Sequence, residues 1–239
     1  PILYETGIED APYSGCGTCF LALHNKQTYI VTAKHVVNGN PGESLLVFPN
    51  KNTDLSIPIN AQITIDNPDS FDNYYSDIVI YRIDHDQLHI EPGSVMRTVD
   101  FSKYDPDWIT RHRDSDYFML GFPVEDRLVN YEEYLVSSTQ HLLKGRYAGP
   151  NTSQYCHEIE FAALNGVTDL NGLSGSPVFC VSKNGGTPRA ATFCGMSIHG
   201  GAAARRVVFV DAFVINAMLD KIGTPNPQLN RTREKPRAG

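Results

Sequence analysis

Short β-branched and aromatic segments, each bounded by turn residues, recur along most of the chain. A first group comprises GTCFLAL, TYIVTA, SLLVF, LSIPINAQITI and DIVIYRI, and a second comprises DYFMLGF, YEEYLVSST, YCHEIEFA, SPVFCV, ATFCGMSI and RRVVFVD. The runs that separate them, such as HNKQ and NGNPGE, are rich in turn-forming residues. About eleven short strands with little helix predict an all-β protein built as two barrels or sandwiches.

A segment without sustained periodicity separates the two groups of strands. Residues 84–115 contain Pro92, Gly93 and Pro106 and are expected to form a linker that crosses the surface. One helical pattern, DAFVINAMLDK, follows the last strand. Asp211 is its expected N-cap, and Phe213, Ala217 and the residues from Leu219 to Ile222 are expected to face inward. Residues 223–239 are expected to be a flexible tail.

Charge and hydropathy exclude several classes of partner. The 239 residues carry a formal charge of −7; residues 221–239 contribute +4, which leaves −11 for residues 1–220. Because an acidic body repels phosphate backbones, no nucleic-acid partner is expected. No apolar run approaches the roughly 18 residues that a membrane span needs, so no membrane partner is expected either.

The cysteines are few and odd in number: Cys16, Cys19, Cys156, Cys180 and Cys194. This count argues against a disulfide framework and favours a reducing, cytoplasmic location. The first residues also lack the basic and apolar regions of a signal peptide, so the expectation is either an intracellular chain or one whose leader was removed before this numbering begins. The single C-x-x-C has no second ligand pair at zinc-site spacing, so we expect no metal and no cofactor.

Three segments together carry the residues of an acyl-transfer site. His35 follows a hydrophobic strand in YIVTAKHVV, Asp77 precedes another in YYSDIVIYRI, and Ser174 lies in the loop NGLSGSPVF. Such a reaction needs a hydroxyl nucleophile, an imidazole to accept its proton and a carboxylate to orient the imidazole. Gly172 and Gly175 allow a turn in which the amides of Gly172 and Ser174 point at one oxygen, which predicts an oxyanion hole.

The motifs TAKHVV, SDIVIYRI and GLSGSP, in this order, resemble those of the trypsin-like (chymotrypsin-fold) serine proteases. The resemblance extends from Gly15 to Ile222. SGSPV is closer to bacterial members such as the glutamyl endopeptidases, and hence to a bacterial-type stand-alone peptidase domain. The resemblance implies two six-stranded antiparallel β-barrels, residues 1–105 carrying His35 and Asp77 and residues 106–222 carrying Ser174 and the closing helix.

The same resemblance implies a serine endopeptidase that acts on a polypeptide through an acyl-enzyme. The substrate would lie extended along SIHGG, and the substrate-binding residues implied are Thr168, Asp169, Ser197, Ile198, His199 and Gly200. If Asp169 points into the primary pocket, charge pairing favours a Lys or Arg side chain, the interpretation towards which the sequence leans. If it points out, Thr168, Ser197 and His199 leave a small polar pocket suited to an acidic side chain.

Two departures from the family pattern keep alternatives open. Leu173 stands where the animal enzymes have an acid that pairs with a freed N-terminus, so activation by N-terminal cleavage is not expected. Ile198 occupies the place of a serine that supports the catalytic aspartate. The alternatives are therefore a catalytically idle binding module on the protease fold, or a protease that stays inactive until an activating protein partner orders residues 167–173.

Overall fold

Strands dominate the architecture, as the sequence predicts. The structure is a computed structural model that describes residues 1–37, 44–48, 55–65, 74–89, 95–131, 135–184 and 187–223. The strands of the first half are β1 (Ile2–Glu5), β2 (Tyr13–Gly17), β3 (Phe20–His24), β4 (Gln27–Ala33), β5 (Leu45–Leu46), β6 (Ile59–Thr64), β7 (Ile78–Ile83) and β8 (Thr98–Asp100). Those of the second half are β9 (Asp116–Gly121), β10 (Arg127–Asn130), β11 (Leu135–Ser138), β12 (His141–Pro150), β13 (Cys156–Phe161), β14 (Pro177–Asn184), β15 (Thr187–Gly201) and β16 (Arg206–Asp211). The helices are α1 (Trp108–His112) and α2 (Ala212–Gly223).

The second half forms a closed six-stranded antiparallel barrel. Its strands follow the order β12-β13-β16-β15-β14-β9, and β10 and β11 form a separate hairpin. Alternate residues point inward, as Tyr117 and Met119 do on β9, and both side chains are fully buried. Trp108 from α1 packs edge-on against Tyr117 and is itself fully buried. The prediction of an all-β barrel with a short C-terminal helix is confirmed for this half.

The first half forms two sheets that share one core. The five-stranded sheet has the order β6-β7-β4-β3-β8 and the three-stranded sheet the order β2-β1-β5. Ile2 and Leu45 from the smaller sheet pack in one cluster with Ile30 and Val79 from the larger. The N–H of Ile57 donates to the Val47 carbonyl at 2.7 Å and links the chain next to β5 with the chain next to β6. Closure of these described strands into a second six-stranded barrel stays a prediction.

One hydrophobic cluster joins the two halves. It contains Phe20 and Ile78 from the first half and Met196, Ile215 and Met218 from the second. Burial of these side chains favours one fixed arrangement of the halves, since separating them would expose the apolar surface to water. The ends of β4 and β7 are thereby held close to the loop that precedes β14.

The residues between the two predicted groups are more ordered than a linker. Thr98–Asp100 forms β8, which pairs in parallel with β3, and Trp108–His112 forms α1. The linker prediction is therefore wrong at these positions, because packing of Trp108 and the exposed edge of β3 supply partners that lie far away in sequence. The predicted tail begins inside α2, which ends at Gly223; residues 224–239 lie outside the described residues. None of the described helices has the length and apolar character needed to cross a bilayer.

The phase of α2 differs from the prediction at Phe213 and at Asp220 and Lys221, which are exposed. Ile215, Met218 and Leu219 are buried, whereas Phe213 is 49% exposed. The inward stripe begins at Ala212 and continues at i+3 and i+7, so Phe213 lies to one side of it. Ala217 is partly buried, at the edge of the same stripe.

Asp211 is the N-cap of α2, as predicted, and also joins three elements of the second half. Its Oδ1 accepts from the Phe213 N–H at 2.8 Å and from the Trp108 indole N–H at 3.4 Å. Its Oδ2 contacts Nε2 of His157 at 3.1 Å. Because Asp211 is almost fully buried, each of these donors would lose its partner without it.

Replacement of Asp211 by Ala is expected to lower the free energy of unfolding by about 2–4 kcal/mol, from loss of the cap and from buried donors left without an acceptor. Denaturant unfolding followed by Trp108 fluorescence measures this change. The matched control is Asp86→Ala at an exposed position, for which a change within about 0.5 kcal/mol is expected. Equal effects of the two substitutions would contradict the proposed role of Asp211.

Candidate active site

Pairing of β4 with β7 brings His35 and Asp77 together. Ala33 at the end of β4 pairs with Ile78 at the start of β7, so the residues that follow and precede them are neighbours. The Lys34 N–H donates to the Asp77 carbonyl at 3.2 Å, and the His35 N–H donates to Asp77 Oδ1 at 2.8 Å. The imidazole Nδ1 of His35 lies 2.5 Å from Asp77 Oδ2.

This geometry assigns the tautomer of the imidazole. A carboxylate can only accept at this contact, so Nδ1 of His35 carries a proton and, in the neutral imidazole, Nε2 has the lone pair. The second contact, from the His35 backbone to Oδ1 of Asp77, holds both carboxylate oxygens in place. The His35 side chain is about half exposed, so Nε2 is open to a reacting group.

Two glycines shape the loop that carries Ser174. Gly172 and Gly175 have φ values of +86° and +88°, in the left-handed region that favours glycine. A Cβ on Gly175 would lie 2.0 Å from the Thr18 carbonyl oxygen, so no side chain fits there. The requirement for glycine at both positions follows from the fold.

Within the described residues, the amides of Gly172 and Ser174 have no hydrogen-bond acceptor, whereas their neighbours do. The Leu173 N–H donates to the Leu170 carbonyl at 3.1 Å and the Gly175 N–H to the Ser197 carbonyl at 2.8 Å. The two unbonded amides are the pair proposed from the sequence as an oxyanion hole. Such donors are available to a substrate oxygen.

The carbonyl groups of the loop explain why these amides are free. Asn171 accepts from the Val124 N–H at 2.9 Å, and Leu173 accepts from the Ser197 hydroxyl at 2.6 Å. In a trans peptide the N–H points opposite to the carbonyl. Anchoring the Asn171 and Leu173 carbonyls therefore directs the Gly172 amide away from Val124 and the Ser174 amide away from Ser197.

One cavity of about 330 Å³ collects these groups. Its lining comprises Cys16, His35, Val36, Val124, Leu170, Asn171, Gly172, Ser174, Ile198, His199 and Gly200. The Ser174 hydroxyl donates to the Ile198 carbonyl at 3.1 Å, and no hydrogen bond joins it to His35 in the part of the chain described. His35 and Ser174 therefore line one cavity, with Asp77 hydrogen-bonded to His35 and the serine hydroxyl directed at β15.

Ile198, His199 and Gly200 of the predicted substrate-binding set line this cavity. The pairing of β15 with β16 shifts register between Ser197 and His199, so Ile198 is the extra residue of a bulge. Its carbonyl can accept from Ser174 for this reason. The His199 ring is exposed and stacks on Tyr74 with 6.1 Å between ring centroids.

Ser197 lies mainly behind the loop that carries Ser174. Its side chain is buried, donates to the Leu173 carbonyl and accepts from the Ser176 N–H at 3.1 Å. It also reaches a smaller recess beside Ser174, lined by Leu170, Leu173, Ser174, Ser197, His199, Gly200 and Val207. Its hydroxyl is thus committed to holding the loop in shape.

Thr168 and Asp169, the other two predicted substrate-binding residues, are exposed and line neither space. The N–H of Thr168 donates to Glu125 at 2.7 Å, and its hydroxyl donates to the same carboxylate. These bonds hold the pKa of Glu125 below its usual value. Asp169 accepts from the Asn171 N–H at 3.1 Å and from the Asn171 side-chain amide. Its carboxylate is therefore occupied within its own turn.

Sequence reasoning missed Thr18, which connects the two halves at the site. Its N–H donates to the Ser174 carbonyl at 3.1 Å, and its hydroxyl donates to the Gly172 carbonyl at 2.8 Å and accepts from the Phe122 N–H at 2.9 Å. The side chain is 1% exposed. Nothing in the motif GTCF indicates this role of Thr18, because the role depends on residues more than 100 positions away.

The cysteines near the site are uncharged thiols. Burial raises the pKa of Cys16 to about 11 against the opposing effect of Arg127. All five cysteines are free. In the described ranges no three His, Cys, Asp or Glu side chains cluster in a way that could hold a metal ion.

No protein-family model matches the chain, and no curated protein matches it. The case for a function therefore depends on the geometry of the site and on the motifs.

Proposed function

We propose that the chain is a serine endopeptidase that hydrolyses peptide bonds through an acyl-enzyme, with His35, Asp77 and Ser174 as the catalytic residues. The observation that carries the proposal is the two-point contact between His35 and Asp77 beside a cavity that His35, Gly172 and Ser174 line, the last two with amides that are unbonded among the described residues. This combination supplies a base, an orienting carboxylate, a nucleophile and oxyanion donors, the parts that acyl transfer needs.

Binding of a substrate strand prepares the nucleophile. An extended peptide that pairs with the Ser197–Gly201 edge of β15 presents a backbone N–H to the Ile198 carbonyl. This N–H replaces the Ser174 hydroxyl, which donates to the same carbonyl when no substrate is bound. The freed hydroxyl turns to Nε2 of His35, a contact that tightens only when substrate is present.

The reaction then follows from the positions of these groups. Oγ of Ser174 attacks the peptide carbonyl carbon while its proton passes to Nε2 of His35, and Asp77 stabilises the resulting imidazolium. The oxyanion accepts hydrogen bonds from the Gly172 and Ser174 amides. Loss of one such donor typically raises the activation free energy by about 2.7–4 kcal/mol. The C–N bond breaks as His35 protonates the leaving amine. Water, deprotonated by His35, attacks the acyl-enzyme and releases the acid and Ser174.

The primary pocket favours a side chain that accepts hydrogen bonds. Asp169 is turned to Asn171 and is not part of the cavity lining, so it supplies no anchor for Lys or Arg. His199 also lines the cavity, and a ring N–H of its imidazole can donate to a carboxylate or carboxamide. The proposed preference is therefore for Glu or Gln before the cleaved bond, the second of the two alternatives that the sequence leaves open.

The finer description of the protein belongs to the same proposal. The shared core of the two N-terminal sheets supports a second barrel. Residues 1–105 would then form one barrel unit of the protein and residues 106–222 the other. The free cysteines are compatible with the reducing, cytoplasmic location expected from their number. Together these features fit a bacterial-type peptidase domain of the trypsin-like family.

A second candidate is a protease-fold module that is idle or waits for an activating protein partner. The observation that favours it is the hydrogen bond of Ser174 to Ile198, which directs the hydroxyl away from His35. This candidate predicts little or no cleavage by the isolated chain. Full turnover without a partner would exclude it.

Digestion of a denatured protein mixture, followed by mass-spectrometric mapping of new termini, tests the proposed reaction. The wild-type chain is expected to generate new termini, and Ser174→Ala is expected to lower the rate by at least about 10³-fold because no nucleophile remains. Ser137→Ala, at an exposed position on β11, is the matched control and should cleave like the wild type. Termini that persist unchanged in Ser174→Ala would refute the proposal.

A positional-scanning peptide library tests the pocket. Peptides with Glu or Gln before the cleaved bond are expected to react at least about tenfold faster than those with Lys or Arg, a difference of about 1.4 kcal/mol. His199→Ala should reduce this ratio while Ser174 remains reactive, since only the pocket wall changes. A preference for Lys or Arg would show that Asp169 or another acid controls the pocket.

A further inference from the structure

Arg127 places a cation directly behind the loop that carries Ser174. It is the first residue of β10, and its guanidinium lies between β2 and that loop. Its Nη2 donates to the Phe122 carbonyl at 2.6 Å and to the Gly172 carbonyl at 3.2 Å. A Cβ built on Gly172 would lie only 2.5 Å from the same nitrogen, so the cation is in contact with the loop backbone.

The peptide that Arg127 contacts lies between the two free amides. Asn171–Gly172 and Leu173–Ser174 supply the free N–H groups, and Gly172–Leu173 is the peptide plane between them. Its carbonyl is held by Nη2 of Arg127 together with the Thr18 hydroxyl. Holding this carbonyl restrains ψ of Gly172 and φ of Leu173, two of the dihedral angles that set the orientation of the two flanking amide planes relative to each other.

The charge of Arg127 is not neutralised by an ion pair. Among the described residues no carboxylate forms a salt bridge with it, and its Nε and Nη1 are buried without a hydrogen-bond partner. Burial lowers the pKa of the guanidinium, which remains protonated at neutral pH because arginine starts from so high a value. In a region poor in water, an unpaired cation stabilises negative charge that develops nearby.

We infer that Arg127 is a positioning residue of the oxyanion hole, which holds the Gly172–Leu173 peptide and adds a positive charge behind the two amide donors. The inference rests on the proposed function. The Thr18 hydroxyl, the nearer donor at 2.8 Å, would by itself be enough to hold the Gly172 carbonyl in place for structural purposes. The role of Arg127 should therefore appear in the stabilisation of the oxyanion more than in the binding of the ground-state substrate.

Arg127→Met tests this role, with Arg146→Met at an exposed position on β12 as the control for loss of a cation. In steady-state cleavage of a peptide, kcat is expected to fall about 10- to 100-fold with KM changed less than about twofold. A peptide aldehyde, whose adduct with Ser174 places an oxyanion in the hole, should lose affinity by a similar factor. The corresponding peptide alcohol, which forms no adduct, should bind as before. Arg127→Lys, which keeps a charge but loses the planar fork, should recover part of kcat.

A second variant allows the inference to be tested even if Arg127→Met does not fold. Gly15→Ala would place a Cβ 2.9 Å from both Cδ and Nη1 of Arg127, so the side chain must shift. Its kcat should fall without a comparable change in KM. An unchanged kcat in Arg127→Met would overturn the inference. If Arg127→Met does not fold, an unchanged kcat in Gly15→Ala would overturn it. Equal losses of affinity for the aldehyde and the alcohol would also overturn it.

The failure of this inference is distinguishable from the failure of the proposed function. Cleavage that depends on Ser174 but is unaffected at Arg127 overturns only the role of Arg127. Cleavage by the wild type that is unaffected by Ser174→Ala overturns both.

Discussion

The antiparallel pairing of β4 with β7 is the constraint on which the site depends. Because Ala33 is opposite Ile78, the residue after one strand and the residue before the other are held side by side. Asp77 then accepts from both the backbone and the imidazole of His35, which sets the tautomer. Two hydrophobic strands thus convert a sequence separation of 42 residues into a hydrogen-bonded pair.

The second constraint is a set of anchored carbonyl groups. Val124, Thr18 and Ser197 each donate to a different carbonyl of the loop between Asn171 and Leu173. None of these donors belongs to the loop, and Thr18 comes from the other half of the molecule. The Gly172 and Ser174 amides are therefore oriented by the tertiary structure, and the loop sequence contributes mainly the two glycines that permit this orientation.

Local patterns predict the parts of the fold that depend on local chemistry. The hydrophobic runs before His35 and after Asp77, the capping aspartate of α2 and the glycines around Ser174 are all visible in the sequence, and the structure has the expected strands, cap and positive φ values there. β12 escaped prediction because Gly145, Gly149 and Pro150 interrupt its pattern. Its pairing with both β9 and β13 supplies the stability that the segment lacks by itself.

Features set by contacts between distant residues could not be predicted. The direction of Asp169 depends on its bonds to Asn171 within a turn whose shape is set by the barrel. The sequence around Arg127 is typical of an exposed arginine. Its position between β2 and the loop that carries Ser174 depends on the tertiary structure. The exposed position of Phe213 follows from where α2 begins relative to the shared core.

Reaction with a fluorophosphonate probe is the most direct test of the central claim that His35, Asp77 and Ser174 form one nucleophilic centre. Peptide mapping of the native protein is expected to find the phosphonyl group on Ser174, with labelling reduced at least about 10³-fold in His35→Ala, because the serine then has no base. Absence of label on Ser174, or equal labelling in His35→Ala, would contradict the account.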